Sequence, residues 1–524
     1  MFQPSLVRLS ARISSLLAGC SAACAVVAAM VLSSACPHAV AQAAASQPTS
    51  YTITDLGVLP GGYYRRGDGS KCFCSAGQAV NTAGQVAGDA YTQSTQGVAA
   101  LFSAGTVKNL GVIHGAVSSI GSGLAGYGRV TGSLQFFSPT LLSYDHAFLY
   151  SSGVMKDLGT LAGDISSDGN AINDSGQVAG TSQSASYISH AFLYSGGTMR
   201  ALGDLPRDLN SYGEAINASS QIAGAANLPG ENRLHAVVFN GSSVKDLGAL
   251  AGGDTSYAYG INDSGQVTGL SFADEDQYFH AFLYSKGKMK DLGTLSGDIH
   301  SIGLGINASG QVVGSSQGAD ERSFLYTPER GMVDVATLLP RGSKWTGISA
   351  TAINDLGQIA GTATDAKGYQ HAFLLSPVRT NFSTLNTALD LIGKPATTFA
   401  VGGRFTLSAN NKAIDPETET IVLQLSGYHI AIPPASLVKT DGNYIFNGKI
   451  GNVALGMILR PVGTNAYLFG IEGVGAAGLP TAYPVQLTLT IGGYNGTEKI
   501  AAGYPGPAPT PAQLCQYFHL DCSE

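Results

Sequence analysis

Five histidines stand in one recurring setting. His146, His190, His235, His280 and His371 each open a short run of the type His-Ala-Phe-Leu-Tyr. A ring of metal-ligating imidazoles is the sharpest chemistry such a pattern could carry. Equivalent positions in successive repeats lie far apart unless they line a common channel, however, and each His begins a strand that is otherwise apolar. The pattern favours a structural His hydrogen-bonded to a turn within its own repeat. Asn-Asp pairs recur at 173/174, 262/263 and 354/355 and invite a calcium reading. A calcium loop needs several oxygen ligands at close alternate spacing, and Ala218 and Ala308 replace the Asp with nothing else changed, so turn chemistry is expected. Cys72-Phe73-Cys74 has the look of half a metal site, but no second Cys pair or His is near to complete it. The acidic run Asp274-Glu275-Asp276 reads as a solvated loop.

Three stretches depart from the repeats and are the candidates for ligand contact. Trp345, the only tryptophan, stands near Arg341 and Lys344. Tyr63-Tyr64-Arg65-Arg66 and the segment 136–145 are irregular inserts. We take Trp345, Arg341, Tyr63 and Tyr64 as the ligand-binding candidates. No Gly-x-Ser-x-Gly elbow, His-Glu-x-x-His pair or phosphate-cradling Gly loop occurs, and no pair of acids stands out as a glycosidase would require. No catalytic residue, cofactor or metal is assigned.

What must position these residues is one unit written seven times. One element, Ala171-Ile172-Asn173-Asp174-Ser175-Gly176-Gln177-Val178-Ala179-Gly180, recurs from 79, 215, 260, 305 and 352, and in worn form from 123. The His-Ala-Phe run is the second element; Arg322 and Val98 replace its His once each. The third, Asp157-Leu158-Gly159, has its Leu again at 56, 110, 202, 247 and 292 and as Val335. Short apolar runs separated by Asn-Asp-Ser-Gly turns are β signals, and about 45 residues holding some four strands fits one propeller blade. The repeats open on a lone third element, Tyr51 to Gly57, and close on His371 to Leu375 with no third element after it. The N-terminal strand can therefore complete the last blade and leave no exposed edge. The expected fold is all-β: a seven-bladed β-propeller closed by the N-terminal strand, with an open β-solenoid as the rival.

The tripeptide His-Ala-Phe together with Ile-Asn-x-x-Gly-Gln-Val-x-Gly resembles the bacterial extracellular HAF repeat family over residues 51–377. The resemblance implies export and repetition, but no settled activity and no catalytic residues.

Beyond Pro377 the composition changes. Val485 to Ile491 alternates as a half-buried strand should, and strands are also expected over 420–426, 443–446, 453–459 and 466–471. Residues 378–503 therefore read as a β-sandwich-like domain, and residues 504–524 as a Pro-rich tail with a Cys pair. At the other end, Arg8 and Arg12 precede an apolar stretch and a small-residue site at Ala41 or Ala43, so residues 1–43 read as a signal peptide. A lipobox at Cys20 and a membrane anchor are the alternatives. Four cysteines then remain: Cys515 and Cys522 are the expected disulfide, while Cys72 and Cys74 either bridge locally or tie the tail to the first repeat.

The chain of 524 residues has 12% charged residues, 69 glycines and a net charge of −7. Charge is about half the usual ~25%, and the acidic balance argues against a nucleic-acid partner. The expected function is an exported, non-enzymatic scaffold, secreted, periplasmic or on the cell surface. It would bind an unknown protein or extracellular polymer through a loop face, with no membrane span after signal removal. The alternative is a secreted polymer-degrading hydrolase or lyase acting at a channel mouth.

Overall fold

In six of the seven sheets an asparagine makes the turn between the first and second strands; Ala125 holds that place in the second. Asn262 Oδ1 accepts hydrogen bonds from the N–H groups of Ser264 (3.1 Å) and Gln266 (3.0 Å), and Gly265 follows with φ of +73°. This Asx turn joins strand Ser256–Ile261 to strand Val267–Ala273. Within that hairpin Gly260 pairs with Thr268 and Ala258 with Gly269, so Tyr259 bulges out unpaired. A Cβ on Gly269 would stand 1.9 Å from the Tyr257 carbonyl oxygen. The glycine that ends the Gln-Val-x-Gly run is therefore demanded by sterics. A third strand, Tyr278–Ser285, carries Phe282, which is fully buried, and a fourth, Lys288–Asp291, closes the sheet.

The computed structural model describes residues 50–501 apart from 66–70, 94–95, 104, 139–141, 204–205, 207–208, 229, 231–232, 274–276, 394, 409–413 and 464. The signal segment, the acidic run 274–276 and the Cys515–Cys522 pair lie outside the described residues. Those described form an all-β structure with no α-helix, and no helix is long and apolar enough to cross a membrane. Seven four-stranded antiparallel sheets occupy residues 51–377. Six are meanders of consecutive strands; the seventh joins Thr346–Ile353, Ile359–Thr364 and Gln370–Pro377 to the N-terminal strand Tyr51–Asp55. Tyr51 pairs with Pro377 and Asp55 with Phe373.

Neighbouring sheets are fastened by the same few groups. The Phe of the second element, Phe148, Phe192, Phe282, Phe324 and Phe373, is 0% exposed, as are Phe102 and Phe239, which stand two residues later at the Tyr position in sheets where the Phe position holds Ala100 and Val237. A buried serine from the next sheet's first strand joins two strands of the sheet before: Ser167 Oγ donates to the Gly159 carbonyl at 2.6 Å and accepts from the Ala147 N–H at 2.9 Å. Ser75 does this between the first and seventh sheets, with Gly57 and Ala372 as partners. Each turn Asn also donates to the backbone carbonyl of the next turn, as in Asn173 to Asn217, Asn217 to Asn262, Asn262 to Asn307 and Asn307 to Asn354. Asn354 of the seventh sheet donates to Asn81 of the first at 2.8 Å.

Both irregular inserts carry strand pairing. Residues 136–138 and 142–145 lengthen one strand pair, Val130–Ser138 against Leu142–Ser151, with Phe136 stacked on Tyr144 at 5.3 Å. Tyr64–Arg65 pairs with Lys71–Cys72 in a two-stranded ribbon. After Pro377 a five-stranded and a six-stranded sheet pack their apolar faces into one core that includes Phe399, Phe405, Leu423, Leu455, Leu487 and Leu489.

Candidate functional site: the cavity opposite the turns

The unit after Pro377 sits on the turns between first and second strands, and its contacts reach six of the seven. Gln424 donates to the Thr82 carbonyl, the Tyr127 hydroxyl to Gly478, and Asn452 to Ala218 at 2.9 Å. Ser309 meets Thr420, Ala308 packs with Val422 and Ala431, and Arg379 donates to Leu356. His429 stands between two turn aspartates, 4.0 Å from Asp174 and 3.8 Å from Asp355. Burial pushes the Asp263 carboxyl upward; the Ala218 N–H and His429 pull it back, and Asp355 and Asp174 add to the rise.

The turn aspartates are therefore fasteners between turns. Asp174 accepts from the Gly126 N–H (2.7 Å), Asp263 from Ala218 (2.8 Å) and Asp355 from Ala308 (2.8 Å). Ala218 and Ala308, which stand where other turns carry Asp, are the donors through their backbone N–H groups.

The repeated histidines are likewise committed within their sheets. Nδ1 of His146, His235 and His280 lies 2.9–3.0 Å from Asp157, Asp246 and Asp291 of the adjoining strand, and His371 lies 3.0 Å from Asp55. In the third sheet Ala201 replaces that Asp, and His190 turns to the buried Asp164 at 2.9 Å. Arg322, standing for His, reaches Asp298 at 2.8 Å and Asp334 at 3.6 Å. Burial raises the Asp55 carboxyl, but the hydrogen bonds from His371 and the Gly57 N–H outweigh it and hold Asp55 below the ordinary carboxylate range. The same bond to Asp55 raises His371 against the opposing effect of burial. Among the described residues no group of three or more His, Cys, Asp or Glu is placed to hold a metal ion.

The first two strands of each sheet run between the turns and the opposite end, and there a cavity of about 430 Å³ opens. Its wall includes Asp89, Gln78, Tyr91, Tyr259, Glu321 and Thr351. Gln78, Tyr259 and Thr351 are bulged residues of their sheets; Ser122, Asn170, Glu214 and Leu304 hold the same bulge in the other four. A bulge re-aims its side chain, so the repeat varies where it is bulged while its flanks stay Gly or Ala. Asp89 is 9% exposed, and burial pushes its carboxyl up to about 7.

Some of the residues singled out in the sequence gather near this mouth. The Trp345 ring is 6.3 Å from His371, whose Nε2 meets the Phe73 carbonyl at 3.1 Å. Phe73 stands edge-on to Tyr63 (6.4 Å) and Tyr369 (5.6 Å), and Lys71 Nζ lies 4.1 Å from the Tyr63 ring centre. Trp345 is half-buried against the core of the seventh sheet, whereas Arg341 is exposed. Tyr64 is placed by its backbone alone. Cys72 and Cys74 face each other with Cα atoms 5.4 Å apart, placed for the local bridge, and Cys74 reaches the cavity wall.

Asp89 escaped the reading of the sequence, although a signal existed. Aligned on the glycine of Gln-Val-x-Gly, the next residues are Asp89, Ser133, Thr181, Ala225, Leu270, Ser315 and Thr362. One acid stands among six residues that are not.

No family model matches the chain, and no curated protein is similar to it. Among solved structures it is similar to the WD40 domain of SCAP from fission yeast, at 9% identity over 62% of this chain and 89% of that one, with a TM-score of 0.17. It is also similar to a DUF4784 family protein from Bacteroides caccae, at 10% identity over 88% and 98% of the two chains, with a TM-score of 0.16. At these TM-scores neither likeness bears on fold or function.

Proposed function

We propose that residues 51–377 are a closed seven-bladed β-propeller of the extracellular HAF-repeat type, and that the protein is an exported, non-enzymatic binding scaffold. Its binding end is the mouth opposite the turns. One observation carries the reading: a sandwich-like domain contacts six of the seven turns, leaving the cavity of about 430 Å³ at the free end. Closure is supported by Ser75 and Asn354, which link the first and last sheets as their counterparts link the others. Export and the Cys72–Cys74 and Cys515–Cys522 disulfides belong to the same reading, with the bound partner a protein or an extracellular polymer.

The test is capture of extracellular polymer by full-length protein. Trp345→Ala with Tyr63→Ala at the mouth should weaken capture tenfold or more, while Val438→Asp on the far domain should leave it unchanged. Capture that ignores the mouth and follows the far domain would refute the assignment. A hydrolase is the second reading, favoured by one observation: Asp89, held neutral up to about pH 7, shares the cavity with Glu321. It requires release of product from the polymer that Asp89→Asn abolishes.

A further inference from the structure

Other buried acids of the repeats are engaged by cationic or imidazole partners within the fold: Asp164 by His190 and Asp298 by Arg322. Asp89 differs. It is more than nine-tenths buried, it forms part of the cavity wall, and no described residue gives its carboxyl a hydrogen bond or an ion pair. An unpartnered buried carboxyl is costly, and the repeat does not need one there, since the other six sheets place Ser, Thr, Ala or Leu at that position. The acid therefore serves something that enters the cavity.

The rest of the wall indicates what that is. Glu321 adds a second carboxylate, and no Lys, Arg or His lines the cavity among the described residues. Tyr91 and Tyr259 contribute aromatic rings, which attract cations through their faces, and Ser315, Ser349, Thr351 and Thr362 contribute oxygen acceptors. The volume of about 430 Å³ falls within the ~300–1,000 Å³ of small-ligand pockets. We infer that the cavity binds an organic ammonium group, with Asp89 as its counter-ion. This rests on the mouth being the binding end, and it goes further by naming the chemistry recognised there.

The ammonium can belong to a free amine or to a lysine side chain. Full-length protein is titrated calorimetrically at pH 8 and constant ionic strength with 1,4-diaminobutane, with n-butylammonium, and with the blocked peptide acetyl-Gly-Lys-Gly-amide. n-Butanol is the neutral control. Saturable binding of the amines but not of butanol is expected, weakened at least tenfold by Asp89→Asn. Asp89→Ser, which installs the residue of the second sheet, should do the same. A stronger response to the diamine marks a free amine as the ligand, and a stronger response to the peptide marks a lysine.

Binding also expels the proton that empty Asp89 holds near neutrality, so affinity should rise roughly tenfold from pH 6 to pH 8. The other titratable groups on the wall are Glu321, Tyr91, Tyr259 and the paired Cys74, and Glu321→Gln should keep that pH dependence. Equal affinity of wild type and Asp89→Asn, or butanol binding as tightly as butylammonium, overturns the inference. Polymer capture measured on the same samples separates this failure from that of the mouth itself. Capture that still depends on Trp345 with no amine bound leaves the mouth standing and removes only the ammonium.

Discussion

At six of the seven seams a single buried hydroxyl holds neighbouring sheets at two points. Ser167 is 1% exposed and serves both the Ala147 N–H and the Gly159 carbonyl. Ser167→Ala leaves both without that partner, and stability in urea should fall by about 1–3 kcal/mol, the cost of orphaned buried groups. Asp89 acts in the opposite sense. Its folded pKa of about 7 lies above that of an unfolded aspartate, so between about pH 4 and pH 7 the native state holds a proton that the unfolded chain has lost. Stability from this group falls as pH rises through that window and is level above it. Asp89→Asn should raise the unfolding free energy at pH 8, by an amount on the order of a few kcal/mol, seen as a higher melting midpoint, and leave it unchanged at pH 4. The His371–Asp55 pair reads differently. Raised His371 stabilises below its unfolded pKa, near 6.5, and loses its contribution as pH climbs through the folded value; lowered Asp55 stabilises above its unfolded pKa, near 4, and loses its contribution in acid. The difference in unfolding free energy between wild type and His371→Gln should therefore peak near pH 5.5 and shrink by pH 8. Its size should stay below about 1 kcal/mol, because Asp55 is half exposed and solvent screens the pair.

At the scale of elements, the strand Tyr51–Asp55 covers the edge of Gln370–Pro377. Deleting residues 50–57 bares that edge and removes the acid facing His371. The variant should melt at lower temperature and self-associate, as unpaired edges do; a monomer of unchanged midpoint, read by light scattering and calorimetry, would count against the closed arrangement. This strand was legible in the sequence because a third element stood alone at one end and was missing at the other. The seven turns were legible because Asn and Gly are spent there on specific torsions and hydrogen bonds. The buried serines and the bulged positions were harder to see. Serine is common throughout the chain, and the bulge appears only as variation between two small residues, which reads as tolerance until the backbone shows where it points. Asp89 was hidden for a related reason: it sits beside a repeated glycine, inside an element whose sameness drew attention away from its one exception.

For the molecule as a whole, the apolar contact of Ala308 with Val422 and Ala431 seats the second unit on the turns. Val422→Asp should loosen that seat, and cleavage in the connection around residues 378–383 should quicken at least severalfold in limited proteolysis while the sheets keep their circular dichroism. The placement of this unit could not be read from sequence, because its contacts are single side chains meeting backbone carbonyls, with no periodic pattern. The N-terminal strand has a consequence in time. Asp55 and His371 are 316 residues apart, and at ribosomal rates of ~5–20 residues per second that stretch takes roughly 15–60 s to make. Through that interval the first strand to emerge has no partner to pair with. Whatever escorts the nascent chain must keep those few residues from finding another edge, and the seventh sheet is finished by the strand Tyr51–Asp55, made long before the other three.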